Sequence, residues 1–188
     1  SPPVVGGNVE TSQKLVNLLL KPFAVVAASQ GTMNNLIFGN DKCSYYETIC
    51  GGTGAGPNFD GTDAVHSHMT NTAITDPEIL EWRFPVRLEK FSIRKRSGGE
   101  GIFNGGNGVI RELLFTEAVS LSLLTQNRNQ GPYGLDGGSQ GTPGEQYLIK
   151  KGGNKIKLES FTQKSLETGD RLVIKTPGGG GFGDTKNV

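Results

Sequence analysis

"VRLEKFSIRKRSGGEGIFNGGNGVIRELLF", residues 86–115, decides the fold. Its ends, VRLEKFSIRKR and GVIRELLF, are rich in β-branched and apolar residues, and the glycine-bearing turns SGGEG and NGGNG stand between them. Such runs, bounded by glycine and asparagine, read as strands joined by turns. The same character continues downstream in VSLSLLTQN, EQYLIKK, NKIKLES and DRLVIKT, with GLDGGSQGTPG and KGGN among the separators. Short strands at this spacing predict an antiparallel sheet, a sandwich or a partial barrel. The glycine clusters differ in length and surroundings, so no fixed-period repeat underlies them.

Upstream of Val86 the pattern is mixed. NVETSQKLVNLLLKPF predicts a helix: Asn8 is placed to cap it and Glu10 suits its first turn. Leu15, Val16, Leu18, Leu19 and Phe23 form an apolar stripe, and Pro22 should end or kink the helix. AVVAASQGTMNNLIFGN begins as strand or helix until Gly31 breaks the pattern. SYYETIC predicts a strand closed by the glycine run of residues 51–56. In DPEILEWRF, Asp76 is an N-cap and Pro77 the first residue of a short helix. The expected class is α+β: an N-terminal helix and glycine-rich mixed segment to about residue 85, then a β-rich, mostly antiparallel half over about 86–188.

Composition narrows the function classes. With 188 residues the chain can form one domain with a real core, but 34% hydrophobic content and 29 glycines imply much turn and loop. A net charge of +1 gives no electrostatic case for nucleic acid or an anionic membrane. No apolar run approaches the roughly 20 residues that span a bilayer. The start, SPPVVGGNVE, has no basic or apolar leader region and no methionine, and reads as the interior of a longer chain. Cys43 and Cys50 lack metal-ligand spacing and are expected to be reduced structural thiols of a cytoplasmic protein.

Chemistry could reside in four places. AVHSHMTNTAITDPE, residues 64–78, holds both histidines, His66 and His68. On a strand they would share a face, able to hold a divalent ion with a nearby aspartate or to supply a general base near neutral pH. The alternative is a pair of polar residues bonded to backbone. The glycine-dense CGGTGAGPNFDGTDA could present N–H groups to an anion, yet it matches neither the dinucleotide fingerprint nor the P-loop. TPGGGGFG is either a ligand-facing backbone loop or a structural turn. SQGTMNN, residues 29–35, offers amide contacts to a substrate, or turn and capping chemistry, with no nucleophile elbow around Ser29. Glu47 needs a partner if buried, and Arg83, Arg87 or Arg94 are the expected ones.

Taken in order, GGNVETSQ, AASQGTMNN, YYETICGGTGAGPNFDGTDAVHSHMTNTAITDPEILEWRFPVRLE, SGGEGIFNGGNGVIRE and TPGGGGFGD make the chain resemble the C-terminal part of the hydantoinase B / 5-oxoprolinase family. The resemblance runs over nearly the whole sequence and is nearest the ATP-dependent 5-oxoprolinase branch, with N-methylhydantoinases as the alternative. It implies hydrolysis of the cyclic amide of 5-oxo-L-proline to L-glutamate at the expense of ATP. It also implies that the chain alone is inactive and binds no cofactor or metal. ATP, Mg and K are expected for the complete enzyme, with a hydantoinase A-type ATP-using region as partner, fused or separate, in an oligomer. It points to His66, His68, Asp60 and Asp63 as catalytic or orienting groups, and to Thr70, Asn71, Gly52, Gly54, Gly179 and Gly180 as substrate contacts. A non-catalytic scaffold that docks the ATP-using region is the rival role.

Overall fold

A computed structural model describes residues 9–185. Two helices and nine strands follow one another as α1 (Val9–Leu20), β1 (Asn35–Asn40), β2 (Cys43–Glu47), α2 (Pro77–Arg83), β3 (Val86–Arg94), β4 (Gly108–Phe115), β5 (Val119–Leu124), β6 (Glu145–Ile149), β7 (Lys155–Lys157), β8 (Phe161–Leu166) and β9 (Arg171–Lys175). The class is α+β, as the sequence predicts.

The opening stretch folds as expected. β3 and β4 pair antiparallel from Val86↔Phe115 to Arg94↔Gly108, with a register shift between Leu88 and Lys90. They begin a five-stranded sheet of order β3-β4-β9-β6-β7. A second sheet, β2-β1-β5-β8, is antiparallel throughout. It takes strands from both sides of residue 85, so the change in sequence character there marks no structural seam.

Alternation explains the packing. β4 and β5 bury every second residue, among them Leu113 and Phe115, and Val119, Leu121 and Leu123. These side chains join Leu36, Phe38, Leu148, Leu166 and Leu172 in one hydrophobic cluster drawn from both sheets. Phe38 packs edge-on to Phe115 with ring centroids 5.4 Å apart. A buried ion pair ties the sheets together: Arg111 Nε on β4 donates to Glu47 Oε2 on β2 at 2.9 Å, and Arg111 Nη2 lies 2.9 Å from Glu47 Oε1. Arg111 is thus the partner of Glu47, in place of the expected Arg83, Arg87 or Arg94. Alternation puts it on the inward face of β4, where only a carboxylate can satisfy it.

α2 has the expected cap: Asp76 Oδ1 accepts from the backbone of Glu78 at 2.9 Å and of Ile79 at 3.4 Å. The proposed cap of α1, Asn8, lies outside the described residues. The helix itself is inverted. It buries Glu10, Gln13 and Asn17, while Leu15, Leu18 and Leu19 are exposed, as is Phe23 just beyond it. The stripe is a real helical stripe, but it faces away from this core.

The glycine runs stack backbone against backbone. A Cβ at Gly52 would fall 1.8 Å from the Gly106 carbonyl oxygen, one at Gly54 1.8 Å from that of Ala27, and one at Gly179 1.7 Å from that of Thr53. Only glycine permits such approach. The donors of these runs are used internally: Gly52 N–H donates to Pro177 O, Gly179 N–H to Gly106 O and Gly180 N–H to Ala28 O.

Candidate functional site

The segment around the histidines is not a strand. One isolated bridge, Val65 to Gly51, precedes a turn in which His68 takes a left-handed backbone with φ 55°. Such a conformation is uncommon outside glycine and often marks a constrained functional position. The two imidazoles therefore meet different partners instead of sharing a face. His66 Nε2 lies 3.5 Å from Thr72 Oγ1, and His68 Nε2 lies 2.9 Å from Asn17 Oδ1 on α1. Among the described residues, no three His, Cys, Asp or Glu side chains converge as a metal ion would require.

The polar face of α1 explains why this loop sits where it does. Gln13 Nε2 donates to the Ser67 carbonyl at 2.7 Å and also to Thr70 Oγ1. Thr70 is buried, so it anchors the loop to the helix, whereas Asn71 is exposed beside it. Glu10 Oε2 accepts from the Met33 backbone at 2.6 Å, and Asn17 Oδ1 accepts from the Ser29 backbone at 3.2 Å. SQGTMNN is thus wholly buried and held by helix side chains. Along this seam Glu10 Oε1, Gln13 Oε1, His66 Nδ1 and Ser67 Oγ are buried without a hydrogen-bond partner among the described residues. Buried orphan acceptors and donors are rare in folded proteins, and several in one seam mark it as more than packing.

Asp60 and Asp63 do not orient a histidine. Asp60 Oδ1 accepts from the Asn104 backbone at 2.6 Å; Asp63 Oδ1 accepts from the Asn107 backbone at 2.6 Å and from its side chain at 3.1 Å. Both carboxylates pin the glycine-rich 104–107 turn. Gly52, Gly179 and Gly180 likewise cannot aim N–H groups at a substrate, because those donors already serve backbone carbonyls, and Gly54 is closed off by Ala27. The glycines act on the site indirectly. Gly180 closes against the Tyr133 carbonyl oxygen, where a Cβ would stand 1.9 Å away.

Tyr133 belongs to a cavity that sequence reading missed. It encloses about 440 Å³ between α1 and the 127–133 loop, lined by Lys14, Asn17, Lys21, Asn127, Gln130 and Tyr133 over an apolar floor that includes Leu18, Ala28 and Pro132. That size suits a small molecule. Tyr133 donates its hydroxyl to the Asn17 carbonyl, and Lys14 Nζ donates to Asn127 Oδ1 at 3.2 Å. Asn127 Nδ2 in turn donates to the Gln30 carbonyl at 2.6 Å. Gly31, at φ 62°, makes room for these amides: a Cβ would meet Asn127 Nδ2 at 2.9 Å and Asn17 Nδ2 at 3.0 Å. The helical spacing of Lys14, Asn17, Leu18 and Lys21 was the signal for one lining face. A larger depression of about 690 Å³ lies on the outside of the four-stranded sheet; no histidine lines either hollow, but Asn17 of the α1 cavity bonds to His68.

Asn17 joins the histidine loop to this cavity. Its Oδ1 accepts from Ser29, so His68 must donate to it from Nε2, which leaves Nδ1 as the basic nitrogen. Partial desolvation pulls the pKa of the half-buried His66 and of the more exposed His68 below the usual imidazole value, favouring neutral rings at pH 7. Burial likewise lowers Lys14, with Glu10 opposing it. A neutral imidazole with a basic nitrogen can take a proton, and the ammonium groups of Lys14 and Lys21 in the cavity lining can hold an anion.

The sequence matches the hydantoinase B/oxoprolinase family over residues 1–185. The chain belongs to that family. It is 51% identical over 185 residues to a 5-oxoprolinase of Dictyostelium discoideum, covering 98% of this chain and 15% of that protein. It is also 51% identical over 180 residues to 5-oxoprolinase 1 of Arabidopsis thaliana, covering 96% of this chain and 14% of the relative. The chain therefore spans about 15% of the length of these relatives. Among solved structures, the ATP-dependent caprolactamase from Pseudomonas jessenii superposes with a TM-score of 0.69 at 25% identity, over 87% of this chain and 31% of the caprolactamase chain. The nucleotide-free structure of acetone carboxylase shares the fold, with a TM-score of 0.71 at 18% identity over 85% of this chain and 26% of that one.

Proposed function

We propose that this chain is one portion of an ATP-dependent 5-oxoprolinase, which opens the lactam of 5-oxo-L-proline to L-glutamate. The observation that carries the reading is the 51% identity to two 5-oxoprolinases over nearly the whole chain. An unactivated amide resists water, so phosphorylation of its oxygen by ATP supplies the electrophile. A hydantoinase A-type region carries out that step, with Mg and K as helpers; the portion described here serves the lactam side. The complete enzyme is a soluble, cytoplasmic oligomer.

Within this portion the residue proposed for the chemistry is His68: its lowered pKa favours the neutral ring, and it bonds to the Asn17 side chain that lines the cavity. Its Nδ1 serves as general base, a role worth about 10²–10⁴ in rate. His66 and Thr70 hold the loop that presents it, and Asn71 beside them is a proposed substrate contact. In the complete enzyme, His68→Gln should lower kcat for 5-oxo-L-proline about 100-fold or more, with the KM for ATP unchanged. Turnover near wild type in His68→Gln would remove His68 from the mechanism.

A docking role for the same chain is favoured by one observation, the exposed apolar stripe of α1 formed by Leu15, Leu18 and Leu19. It is compatible with the catalytic role, because Gln13 and Asn17 on the other face bond to the histidine loop; of the stripe, Leu18 also lines the cavity.

A further inference from the structure

The cavity beside α1 has an unbalanced charge. Its lining holds two lysines and no carboxylate. Lys14 lies on α1 and Lys21 directly follows its last residue, its N–H still bonded to the Asn17 carbonyl, so the two backbones stand about 10 Å apart along the axis. Each meets a neutral partner, and the Glu10 carboxylate, outside the lining, also acts on Lys14. Lys14 Nζ donates to Asn127 Oδ1 at 3.2 Å, and Lys21 Nζ stands 4.8 Å above the Tyr133 ring centroid.

The surroundings fit a small anion with an apolar body. Leu18, Ala28 and Pro132 supply apolar surface, while Asn17, Gln130 and the lysines supply donors. The lining is rigid where it matters. Asn127 is tied to the Gln30 carbonyl, and the neighbouring Arg128 is locked by Gln126 O at 2.6 Å, Asn34 Oδ1 at 2.8 Å and Gln146 Oε1 at 3.1 Å. Lys14 is thus held against a fixed amide, while Lys21 stands at the exposed rim over the Tyr133 ring.

We propose that this cavity is a carboxylate site, with the Lys14 and Lys21 ammonium groups as its counter-charges, and that in the complete enzyme it takes the carboxylate of the lactam substrate. The second half rests on the reading of the chain as part of a 5-oxoprolinase. The site would make the enzyme prefer lactams that carry a carboxylate over those that do not, and Asn17 links it to His68. Lys14 and Lys21 are then specificity-determining residues, recognising the part of the substrate that does not react.

Lysine acetylation read by mass spectrometry tests this in the complete enzyme without ATP. The probes are 5-oxo-L-proline, its neutral analogue 5-oxo-L-prolinamide, and glutarate as a plain dicarboxylate. The expected result is that 5-oxo-L-proline and glutarate slow acetylation of Lys14 and Lys21 about fivefold or more. The amide should leave both within about twofold, and the exposed Lys90 should respond to none of them. Lys21→Met, a change at an exposed position, should weaken binding of the acid about tenfold and leave the amide unchanged. Equal shielding by acid and amide, or no shielding at either lysine by saturating acid, would overturn the proposal. Failure of the functional reading looks different. An enzyme that does not hydrolyse 5-oxo-L-proline, yet whose two lysines glutarate still shields, keeps the carboxylate site and loses only the reaction. An inactive enzyme with unshielded lysines loses both.

Discussion

At Gly179 a single missing methyl group decides the packing. Its Cα lies against the Thr53 carbonyl so closely that a Cβ would stand 1.7 Å from the oxygen. Gly179→Ala should therefore destabilise the fold by about 3 kcal/mol or more, read as a lower urea midpoint. A midpoint within error of wild type would show that the loops relax freely. The histidines give a second residue-scale expectation. Burial lowers their folded-state pKa, so between that value and about 6.5 the unfolded chain binds more protons than the folded one. Stability must then fall as pH drops below about 6.5, and that loss is complete once the folded value is passed. The wild-type melting temperature should drop further between about pH 7.5 and pH 5 than that of a His66→Gln, His68→Gln double variant. Parallel pH profiles would show that the rings titrate as in water. The sequence announced the histidines by their rarity, but not their partners. Asn17 is about 50 residues away in the chain, and nothing in a linear pattern couples position 17 to position 68.

Among the elements, α1 shows how a correct pattern can be assigned the wrong face. Helical periodicity located the apolar stripe, yet the chain buries Glu10, Gln13 and Asn17 instead. These side chains satisfy backbone groups of the SQGTMNN segment and the histidine loop that no strand pairs. Gln13→Leu should accordingly cost about 1–3 kcal/mol, since the Ser67 carbonyl loses its donor. Leu18→Asn and Leu19→Asn should each move the stability of this chain by less than about 0.5 kcal/mol. Chemical denaturation of the three variants separates the faces, and the opposite ranking would mean that the stripe is the packed side. The strands split in the same way. β3, β4, β5, β6, β7 and β9 were legible from β-rich runs and turn residues. β8 was not, because FTQKSL is an edge strand whose only buried residues are Thr162 and Leu166. β1 was obscured by the SQGTMNN loop that leads into it.

In the whole molecule, the Glu47–Arg111 pair carries a long-range decision that composition could not reveal. The two residues are 64 positions apart and join the two sheets. Burial raises the pKa of Glu47 while Arg111 draws it back down, so removing Arg111 leaves an acid that burial disfavours as an anion. Arg111→Met should cost about 3–5 kcal/mol, whereas the Glu47→Leu, Arg111→Leu double variant should cost much less than the sum of its singles. Additive losses in a double-mutant cycle would mean that the pair contributes no coupling. The strands around this pair were readable because alternation is local. The carboxylate cavity was not, because it is assembled from α1 and a loop that begins more than 100 residues later. We propose that this architecture serves an ATP-driven opening of 5-oxo-L-proline. Simultaneous measurement of ADP and L-glutamate formed by the complete enzyme from ATP and 5-oxo-L-proline tests it most directly. Both products should appear together, and neither should accumulate at that rate when lactam or ATP is withheld. Glutamate released without ATP consumption, or ADP released with the lactam left intact, would contradict it.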